Sequence, residues 1–279
     1  MKIKDAFILA AGLGTRMGDL GQEIPKPLFP IFNKSIIEII IEQLKGIGIE
    51  NIYINSHHLE IVLRDYLCTK FSGLNFLSEK QLLGSGGAFF NLKKNYPNLK
   101  YIISMNADTV FDINKNVLSK LESSIIERGS SVSLMGLNVA NENRFNRLVL
   151  ENKILKGITP YSLEEGLVKS LPWTFSGVAA INLERLDKKF LNQKSSFFDS
   201  VANFKNNSIE VITPSDLKFH DFGTLDYYCS SLKAIMTDES DFLHAYSGCQ
   251  LKPYDNIFAE NELCRVEIKE NVLSYRLKF

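Results

Sequence analysis

The first half of the chain alternates between two hydrophobic periods, one typical of buried strands and one typical of helices. Short continuous apolar runs, such as residues 3–11 and 101–105, predict strands. Between such runs apolar residues recur every three or four positions. The clearest helix covers residues 35–48, where Ser35 and Glu38 have the spacing of a capping box. Strands that alternate with helices over short connections favour a parallel sheet covered by helices.

The alternation loosens in the second half, where several predicted strands follow one another without a helix. These strands are residues 147–150, 154–158 and 175–181. They predict an antiparallel part. We therefore expect an α/β fold with a mixed, mostly parallel sheet and helices on both faces.

The pattern changes again near residue 237. We expect residues 1–236 to form the main domain and residues 237–279 to form a C-terminal extension packed on it. Strand-like residues on either side of Glu270 and Asn271 predict a β-hairpin in this extension.

Charge and cysteine content narrow the class of protein. The 279 residues include 32 Lys and Arg and 32 Asp and Glu, so the formal net charge is zero. This balance gives no indication of a surface that binds nucleic acid. The four cysteines are far apart, which indicates free, mostly buried thiols in a reducing compartment. No apolar run approaches the roughly 20 residues that span a bilayer, and the start lacks a signal-peptide layout. We expect a cytoplasmic protein without a membrane partner.

The first predicted strand runs into a glycine-rich loop with two cations. Gly12 and Gly14 allow backbone N–H groups to approach a phosphate, and Arg16 and Lys26 follow them. Arginine grips phosphate oxygens in pairs, and lysine acts as a mobile point charge. For either cation alone an ordinary surface loop is the simpler interpretation, but their combination at a strand end favours a site for a triphosphate.

The same loop argues against a dinucleotide site of the oxidoreductase type. Such a site needs a third glycine, a helix directly after it and an acidic residue at the end of the second strand. Here Gly18 comes one position late, residues 17–32 are rich in glycine and proline, and the second strand ends in Asn55, Ser56 and His57. All three requirements fail.

Two acidic residues occupy strand ends where Mg²⁺ could bind. Asp108 follows the buried strand 101–105, and Asp221 lies where another strand runs into a helix. Mg²⁺ prefers a few carboxylates together with phosphate oxygens. Turns at strand ends are also rich in Asn and Asp, so either residue alone is a weak signal. His220 is predicted to be structural.

A second glycine-rich segment, residues 79–88, precedes a predicted helix. Its glycines, including Gly86, would allow a flat ligand such as a base or a ribose to approach closely, and Gln81 could read a base edge. A tight turn between strand and helix is the alternative.

Five segments, in order, resemble the signatures of the sugar-1-phosphate nucleotidyltransferases. They are LAAGLGTRM with PKPLFPI, QLLGSGGA, NADTVFDI, TFSGVAAI and HDFGT. The resemblance runs to about residue 236 and implies a Rossmann-like mixed α/β domain. It also implies a monomer or homodimer.

The resemblance implies a role for each matching residue. Arg16, Lys26 and Asp108 become the catalytic residues. Those implied to bind the nucleotide are Ala11, Gly12, Gly14, Arg16, Lys26, Gln81, Gly86 and Asn106. Thr174 and Gly177 fall on the sugar side, and Asp108 and Asp221 become ligands of a Mg²⁺ cofactor.

The implied reaction transfers a nucleoside monophosphate from a nucleoside triphosphate to a sugar 1-phosphate and releases pyrophosphate, for cell-wall or surface-polysaccharide synthesis. Two departures are notable. Ala107 stands where the family usually has glycine, and no lysine matches the family's EKP segment near residues 157–161. The branches acting on N-acetylmuramate 1-phosphate with a uridylyl group, or on heptose or mannose 1-phosphate with a guanylyl group, are the most similar, with a slight preference for the uridylyl branch. A cytidylyltransferase of the choline-phosphate type is a third possibility, and a catalytically silent nucleotide-sugar-binding partner protein is the alternative function.

Overall fold

The computed structural model describes residues 2–139, 145–160, 173–238, 241–247, 256–269 and 272–278. Its strands are β1 (Asp5–Leu9), β2 (Pro30–Ile31), β3 (Lys34–Ser35), β4 (Asn51–Ser56), β5 (Leu74–Ser78), β6 (Tyr101–Asn106), β7 (Thr109–Phe111), β8 (Val132–Asn138), β9 (Arg147–Glu151), β10 (Ile154–Thr159), β11 (Trp173–Asn182), β12 (Ile209–Ile212), β13 (Phe219–Asp221), β14 (Asn256–Glu260), β15 (Cys264–Lys269) and β16 (Val272–Leu277). Its α-helices are α1 (Leu20–Glu23), α2 (Ile36–Gly46), α3 (Glu60–Lys70), α4 (Gly84–Asn95), α5 (Lys115–Ile126), α6 (Phe197–Ser200), α7 (Leu225–Thr237) and α8 (His244–Ser247).

A nine-stranded mixed sheet organises the fold. Its strand order is β5-β4-β1-β6-β11-β8-β12-β10-β9. Strands β5, β4, β1 and β6 pair in parallel, and β12 pairs with β8 in parallel. Strand β11 is antiparallel to both of its neighbours, and so is β10. This confirms the predicted mixed, mostly parallel sheet.

Apolar side chains of the sheet face two separate cores. Adjacent residues of β1 show the division, because Ile8 belongs to one buried cluster and Phe7 to the other. Successive side chains of a strand point to opposite faces, so a strand buried on both sides reads as a continuous apolar run. Helices α2, α5 and α7 contribute to the first cluster, and α4 and α6 to the second. Helices therefore cover both faces, as predicted.

Helix α2 begins at the predicted capping box. The Ser35 backbone N–H donates to Glu38 Oε2 at 2.7 Å, and the Ser35 hydroxyl accepts from the Glu38 N–H at 3.4 Å. The Tyr66 hydroxyl of α3 also donates to Glu38 Oε2, at 2.8 Å. Burial, together with this hydrogen bond, raises the pKa of Tyr66 above its usual value. The Glu38 carboxylate thus caps the start of α2 and also binds α3 through Tyr66.

Residues 17–32 are more ordered than the loop that the sequence predicts. The 3₁₀ turn Thr15–Met17 leads into them, and they contain the 3₁₀ turn Lys26–Leu28, the single-turn helix α1 and the strand β2. Glycine and proline limit each element to about one turn, because proline removes a backbone donor and glycine favours non-helical conformations. No long helix follows the glycine loop, whereas a dinucleotide site requires one.

The end of the chain forms a three-stranded antiparallel sheet in the order β14-β15-β16. The sequence predicted two of these strands and missed β14. Residues 270 and 271, where the turn was predicted, lie outside the described residues. Ala259, Cys264 and Val266 join the first buried cluster. The division of the chain at residue 236 stays a prediction.

Three described cysteines are free thiols, and they differ in exposure. Cys264 is buried, Cys229 is half-buried and Cys68 is exposed. The expectation of mostly buried thiols is wrong for Cys68, which lies on the outer side of α3, and Cys249 lies outside the described residues. Burial raises the pKa of the Cys264 thiol to about 12. Among the described residues, the helices are too short or too polar to cross a membrane.

We predict that Ser35→Ala lowers the free energy of unfolding by about 1 to 2 kcal/mol, because it removes an N-cap acceptor from a buried helix start. Chemical denaturation measures this loss. The control is Ser119→Ala on the exposed side of α5, which should stay within about 0.5 kcal/mol of the parent protein. Equal effects of the two substitutions would contradict a stabilising role for the capping box.

Candidate active site

The candidate site lies at the carboxyl edge of β1, where three neighbouring strands end together. In the parallel register Leu9 is opposite Asn55 of β4 and Asn106 of β6. The Ala107 N–H donates to the Leu9 carbonyl at 3.1 Å, which extends the pairing one residue beyond β6. The glycine loop after β1 therefore lies beside the end of β6, as expected for ligand sites in open α/β sheets.

The glycine loop combines an open backbone with a tight turn. Gly12 is exposed, and a Cβ added there would meet no atom within 4 Å. Gly14 has φ +70°, and its carbonyl accepts from Met17 N–H at 2.8 Å. A Cβ on Gly21 would lie 2.3 Å from the Gly14 carbonyl oxygen. Gly14 and Gly21 therefore allow close packing of two backbone segments, whereas the space around Gly12 is open to a ligand, and Ala11 before it is buried.

Two cations converge on Asp108. Lys26 Nζ lies 2.5 Å from Asp108 Oδ2, and an Arg16 guanidinium nitrogen lies 4.0 Å from the same oxygen. The Lys26 side chain is 13% exposed, whereas that of Arg16 is 68% exposed. Lysine is thus held inside the site and arginine reaches its rim. The sequence placed these three residues in one site, and the fold brings them together.

Asp221 lies beside Asp108 at the end of a small two-stranded sheet. Strand β13 pairs with β7, Asp221 lies opposite Thr109, and Phe222 N–H donates to the Asp108 carbonyl at 2.8 Å. Asp221 Oδ1 accepts from the Gly223 N–H at 2.6 Å. A Cβ on Gly223 would lie 2.8 Å from Asp221 Oδ1 and 3.6 Å from Asp108 Oδ2, so both carboxylates face this glycine.

The two residues predicted to lie near the nucleotide base, Gln81 and Gly86, differ in exposure. Gln81 is exposed just before α4. Gly86 is buried, its N–H donates to the Ser195 carbonyl at 2.9 Å, and a Cβ there would lie 2.2 Å from Ser200 Oγ. The need for glycine at position 86 is thus explained by its close packing against residues 195–200. Contact of Gly86 or Gln81 with a nucleotide stays a prediction.

On the predicted sugar side, Gly177 lies against Asn106. Gly177 has φ +87°, and a Cβ there would lie 2.6 Å from Asn106 Nδ2. The β11 register shifts between Phe175 and Ala179, which places Gly177 in a bulge. Thr174 is buried, and its hydroxyl donates to the Asn146 carbonyl at 2.9 Å. The fold therefore joins Gly177 to the site through Asn106, and Thr174 holds β11 against the segment before β9.

The predicted counterpart of the family's EKP segment, residues 157–161, lies only partly within the described residues. Residues 161–172 lie outside the described residues, and residues 157–160 complete β10 or follow it.

His220 has the structural surroundings that the sequence suggested. Its Nε2 lies 2.6 Å from Asp241 Oδ2, and its ring stacks on Phe242 at 5.7 Å between centroids. It alternates with Asp221 along β13, so the two side chains point to opposite sides of the strand.

The nucleotidyl transferase family profile matches residues 5–153, more than half of the chain. The chain belongs to this family. A curated relative supports the assignment. The D-glycero-alpha-D-manno-heptose 1-phosphate guanylyltransferase of Campylobacter jejuni is 30% identical over 227 residues, which cover 80% of this chain and 96% of that protein.

Two further proteins resemble this nucleotidyltransferase over much of its length. The UTP–glucose-1-phosphate uridylyltransferase 2 of Staphylococcus saprophyticus is 26% identical and covers 72% of this chain and 75% of its own. Crystal structures of HddC from Yersinia pseudotuberculosis, one of them complexed with GMP-PN, are 22% identical with TM-scores of 0.68 and 0.65. Both cover 84% of this chain and 100% of HddC, and this likeness shows the shared fold.

The nucleotidyltransferase also contains a buried polar network that sequence reasoning missed. Glu79 Oε1 accepts from Asn55 Nδ2 at 2.7 Å, and Oε2 accepts from Leu83 N–H at 3.0 Å. Asn55 Oδ1 in turn accepts from Ala10 N–H at 2.7 Å. Asn55 and Glu79 are both buried. Their hydrogen bonds join the segment before α4 to the start of the glycine loop.

The His57 ring strengthens the same connection. His57 Nδ1 lies 2.6 Å from the Glu79 carbonyl oxygen, and His58 Nε2 lies 3.1 Å from the Gly21 carbonyl oxygen. The sequence signal for this network is the polar end of β4, which continues into His57. A polar residue at the end of a buried strand needs hydrogen-bond partners, and this requirement is the signal that could have identified Asn55 as a residue of the network.

We predict that Glu79→Gln lowers the free energy of unfolding by about 1 to 3 kcal/mol, because the new amide nitrogen would face a buried donor and leave it unpaired. Urea denaturation measures the change. The matched control is Glu50→Gln at the exposed ion pair with Lys4, which should cost less than about 1 kcal/mol. A Glu79 variant as stable as the control would mean that the network does not hold these segments together.

Proposed function

We propose that this nucleotidyltransferase transfers a nucleoside monophosphate from a nucleoside triphosphate to a sugar 1-phosphate. The observation that carries the proposal is the convergence of Lys26 and Arg16 on Asp108 beside the open backbone of Gly12. Two cations and free space for a phosphate chain suit a reaction in which the leaving group gains negative charge.

The chemistry needs positioning more than acid–base catalysis. An oxygen of the sugar 1-phosphate forms a bond to the α-phosphorus, and the bond from this phosphorus to the bridging oxygen of the β-phosphate breaks. Pyrophosphate leaves with that electron pair. The attacking oxygen is already an anion, so no side chain has to remove a proton. Lys26 and Arg16 would bind the phosphates and stabilise the charge on the leaving pyrophosphate.

The acidic pair fits a Mg²⁺ ion. Asp108 and Asp221 approach the same glycine, and their hard oxygens are the ligands that this ion prefers. Among the described residues no group of three or more His, Cys, Asp or Glu could hold a metal ion, so phosphate oxygens and water would complete the coordination. When bound, Mg²⁺ would stabilise negative charge on the phosphates. Asp108 and Asp221 would hold it, and Lys26 would exchange its contact with Asp108 for a phosphate oxygen.

The relatives narrow the choice of substrates to be tested. The Campylobacter relative is named as a heptose 1-phosphate guanylyltransferase and the Staphylococcus relative as a glucose-1-phosphate uridylyltransferase. A structure of the same fold contains GMP-PN. We therefore propose GTP with a heptose or hexose 1-phosphate as the first pair, and UTP, which the sequence slightly favoured, as the second. The product would be an activated sugar for a cell-wall or surface polysaccharide.

A pyrophosphate-release assay tests the proposal directly. GTP, UTP, CTP and ATP are each combined with heptose, mannose, glucose and N-acetylmuramate 1-phosphates in the presence of Mg²⁺. We expect release that depends on both substrates for at least one pair. If no pair reacts although the protein binds a triphosphate, the silent nucleotide-binding alternative is favoured instead.

We predict that Asp108→Asn lowers kcat/KM for pyrophosphate release by more than about 100-fold. The substitution removes a carboxylate charge where several kcal/mol of charge stabilisation would depend on the metal, and each 1.4 kcal/mol is tenfold. Steady-state kinetics and a circular dichroism spectrum measure turnover and folding. Asp112→Asn, an exposed aspartate after β7, is the control and should be unaffected. Near-normal turnover of the Asp108 variant would remove this residue from the metal site.

We predict that Lys26→Ala raises the KM for the triphosphate and lowers kcat, with a combined loss of about 100-fold or more, because a buried phosphate grip is missing. Kinetics at varied triphosphate concentration separate the two effects. Lys34→Ala is the control, since this lysine lies in the same segment but contacts Glu42 at 2.7 Å. Kinetics of the Lys26 variant that match those of the control would make Lys26 an ordinary loop residue.

A further inference from the structure

The C-terminal sheet packs directly on the segment that carries Lys26. The Glu260 N–H at the end of β14 donates to the Phe32 carbonyl at 2.6 Å. Cys264 and Val266 of β15 share the first buried cluster with Leu28 and Phe29. The Campylobacter relative matches only 80% of this chain but 96% of its own, so this chain carries length that the relative lacks. The family profile ends at residue 153, so the C-terminal sheet lies outside the residues that it matches.

Asn261, in the turn between β14 and β15, makes the most specific of these contacts. Its Nδ2 donates to the Leu28 carbonyl at 2.8 Å. Its Oδ1 accepts from the N–H groups of Leu263 and Cys264 at 2.9 Å and 3.0 Å. Asn261 is buried. Two backbone donors on Oδ1 fix the orientation of the amide, so the Nδ2 group must point towards Leu28.

Leu28 ends the 3₁₀ turn that begins at Lys26. The turn is only three residues long, and its internal bonds are Leu28 N–H to the Pro25 carbonyl at 2.8 Å and Phe29 N–H to the Lys26 carbonyl at 3.0 Å. Leu28 is fully buried, so its carbonyl needs a partner within the protein. Asn261 supplies that partner two residues beyond Lys26.

Other bonds hold the segment further along. The Tyr228 hydroxyl donates to the Pro30 carbonyl at 2.7 Å, and the Ile36 N–H donates to the Phe29 carbonyl at 3.0 Å. These contacts fix the path into α2. Apart from the contact of Lys26 itself with Asp108, the Asn261 amide makes the described side-chain hydrogen bond to this turn that lies closest in sequence to Lys26.

We propose that Asn261 is a positioning residue that holds the Lys26 turn in register with Asp108 and thereby sets the affinity for the triphosphate. This inference rests on the proposed role of Lys26 as a phosphate grip. Lys26 reaches Asp108 Oδ2 at 2.5 Å from a turn with little structure of its own, so a shift of the turn moves the ammonium group. A misplacement of about 1 Å far from the chemistry is enough to cost on the order of 100-fold in rate.

The experiment compares Asn261→Asp with the parent protein. The aspartate keeps the oxygen that accepts from Leu263 and Cys264, but it turns a second oxygen towards the Leu28 carbonyl. Calorimetry with GTP or UTP and Mg²⁺ measures triphosphate binding without turnover, and pyrophosphate release gives kcat and KM. We expect triphosphate affinity about tenfold weaker, a raised KM for the triphosphate and an unchanged KM for the sugar 1-phosphate.

The control is Glu262→Gln, the next residue in the same turn. Glu262 contacts Lys70 of α3 at 2.5 Å, so this variant breaks a different link between the C-terminal sheet and the main body. Its triphosphate affinity should equal that of the parent. If Asn261→Asp does not fold, Asn261→Ala removes the same donor without adding a charge and takes its place.

A double-mutant cycle separates positioning from general destabilisation. In a Lys26→Ala background the Asn261 substitution should cause no further loss of affinity, because the group that it positions is absent. Additive losses, or an Asn261 variant that binds as tightly as the parent, would overturn the inference while leaving the proposed function intact. A parent protein that binds no triphosphate would refute the proposed function and this inference with it.

Discussion

The pairing of β1 between β4 and β6 is the constraint on which the site depends. Parallel strands place their carboxyl ends at one edge, and the register sets Leu9 opposite both Asn55 and Asn106. The glycine loop, the Asn55 amide and the Asp108 carboxylate then lie together without any local sequence relation. A shift of β1 by one residue would turn its apolar side chains to the wrong faces, because each face of the sheet has its own core.

Buried hydrogen bonds, more than regular secondary structure, hold the loops around this edge. Asn55 and Glu79 join the glycine loop to the segment before α4, and Asn261 joins the Lys26 turn to the C-terminal sheet. A buried polar group without a partner is costly, so each of these contacts favours one arrangement of its loop. Segments that contain only single helical turns thereby acquire a fixed position.

Local charge, rather than net charge, prepares the site for an anion. The chain has as many acidic as basic residues, yet Lys26 and Arg16 both approach the single oxygen Asp108 Oδ2. Before a ligand binds, the Asp108 carboxylate lowers the free-energy cost of keeping the partly buried Lys26 ammonium group charged. A neutral protein can therefore present a cationic grip at one strand edge without a basic surface that would attract polyanions in general.

The sequence by itself determined the local elements and the segments that carry chemistry. Ser35 and Glu38 predicted the start of α2, apolar periods predicted most strands of the main sheet, and the order of the motifs placed Lys26 with Asp108. These signals act within a few residues or within a known motif. The short turns of residues 17–32 and the strand β14 were not predicted, because glycine, proline and short strands give weak periodicity.

Only the tertiary structure decided which distant groups support the site. The bonds from Ala10 to Asn55 and from Asn261 to Leu28 join residues 45 and 233 positions apart. The tertiary structure also showed that Gly86 packs closely on Ser200, with no room for a Cβ. No local pattern encodes such contacts, since a buried amide or glycine takes its partner from whichever segment the fold places against it.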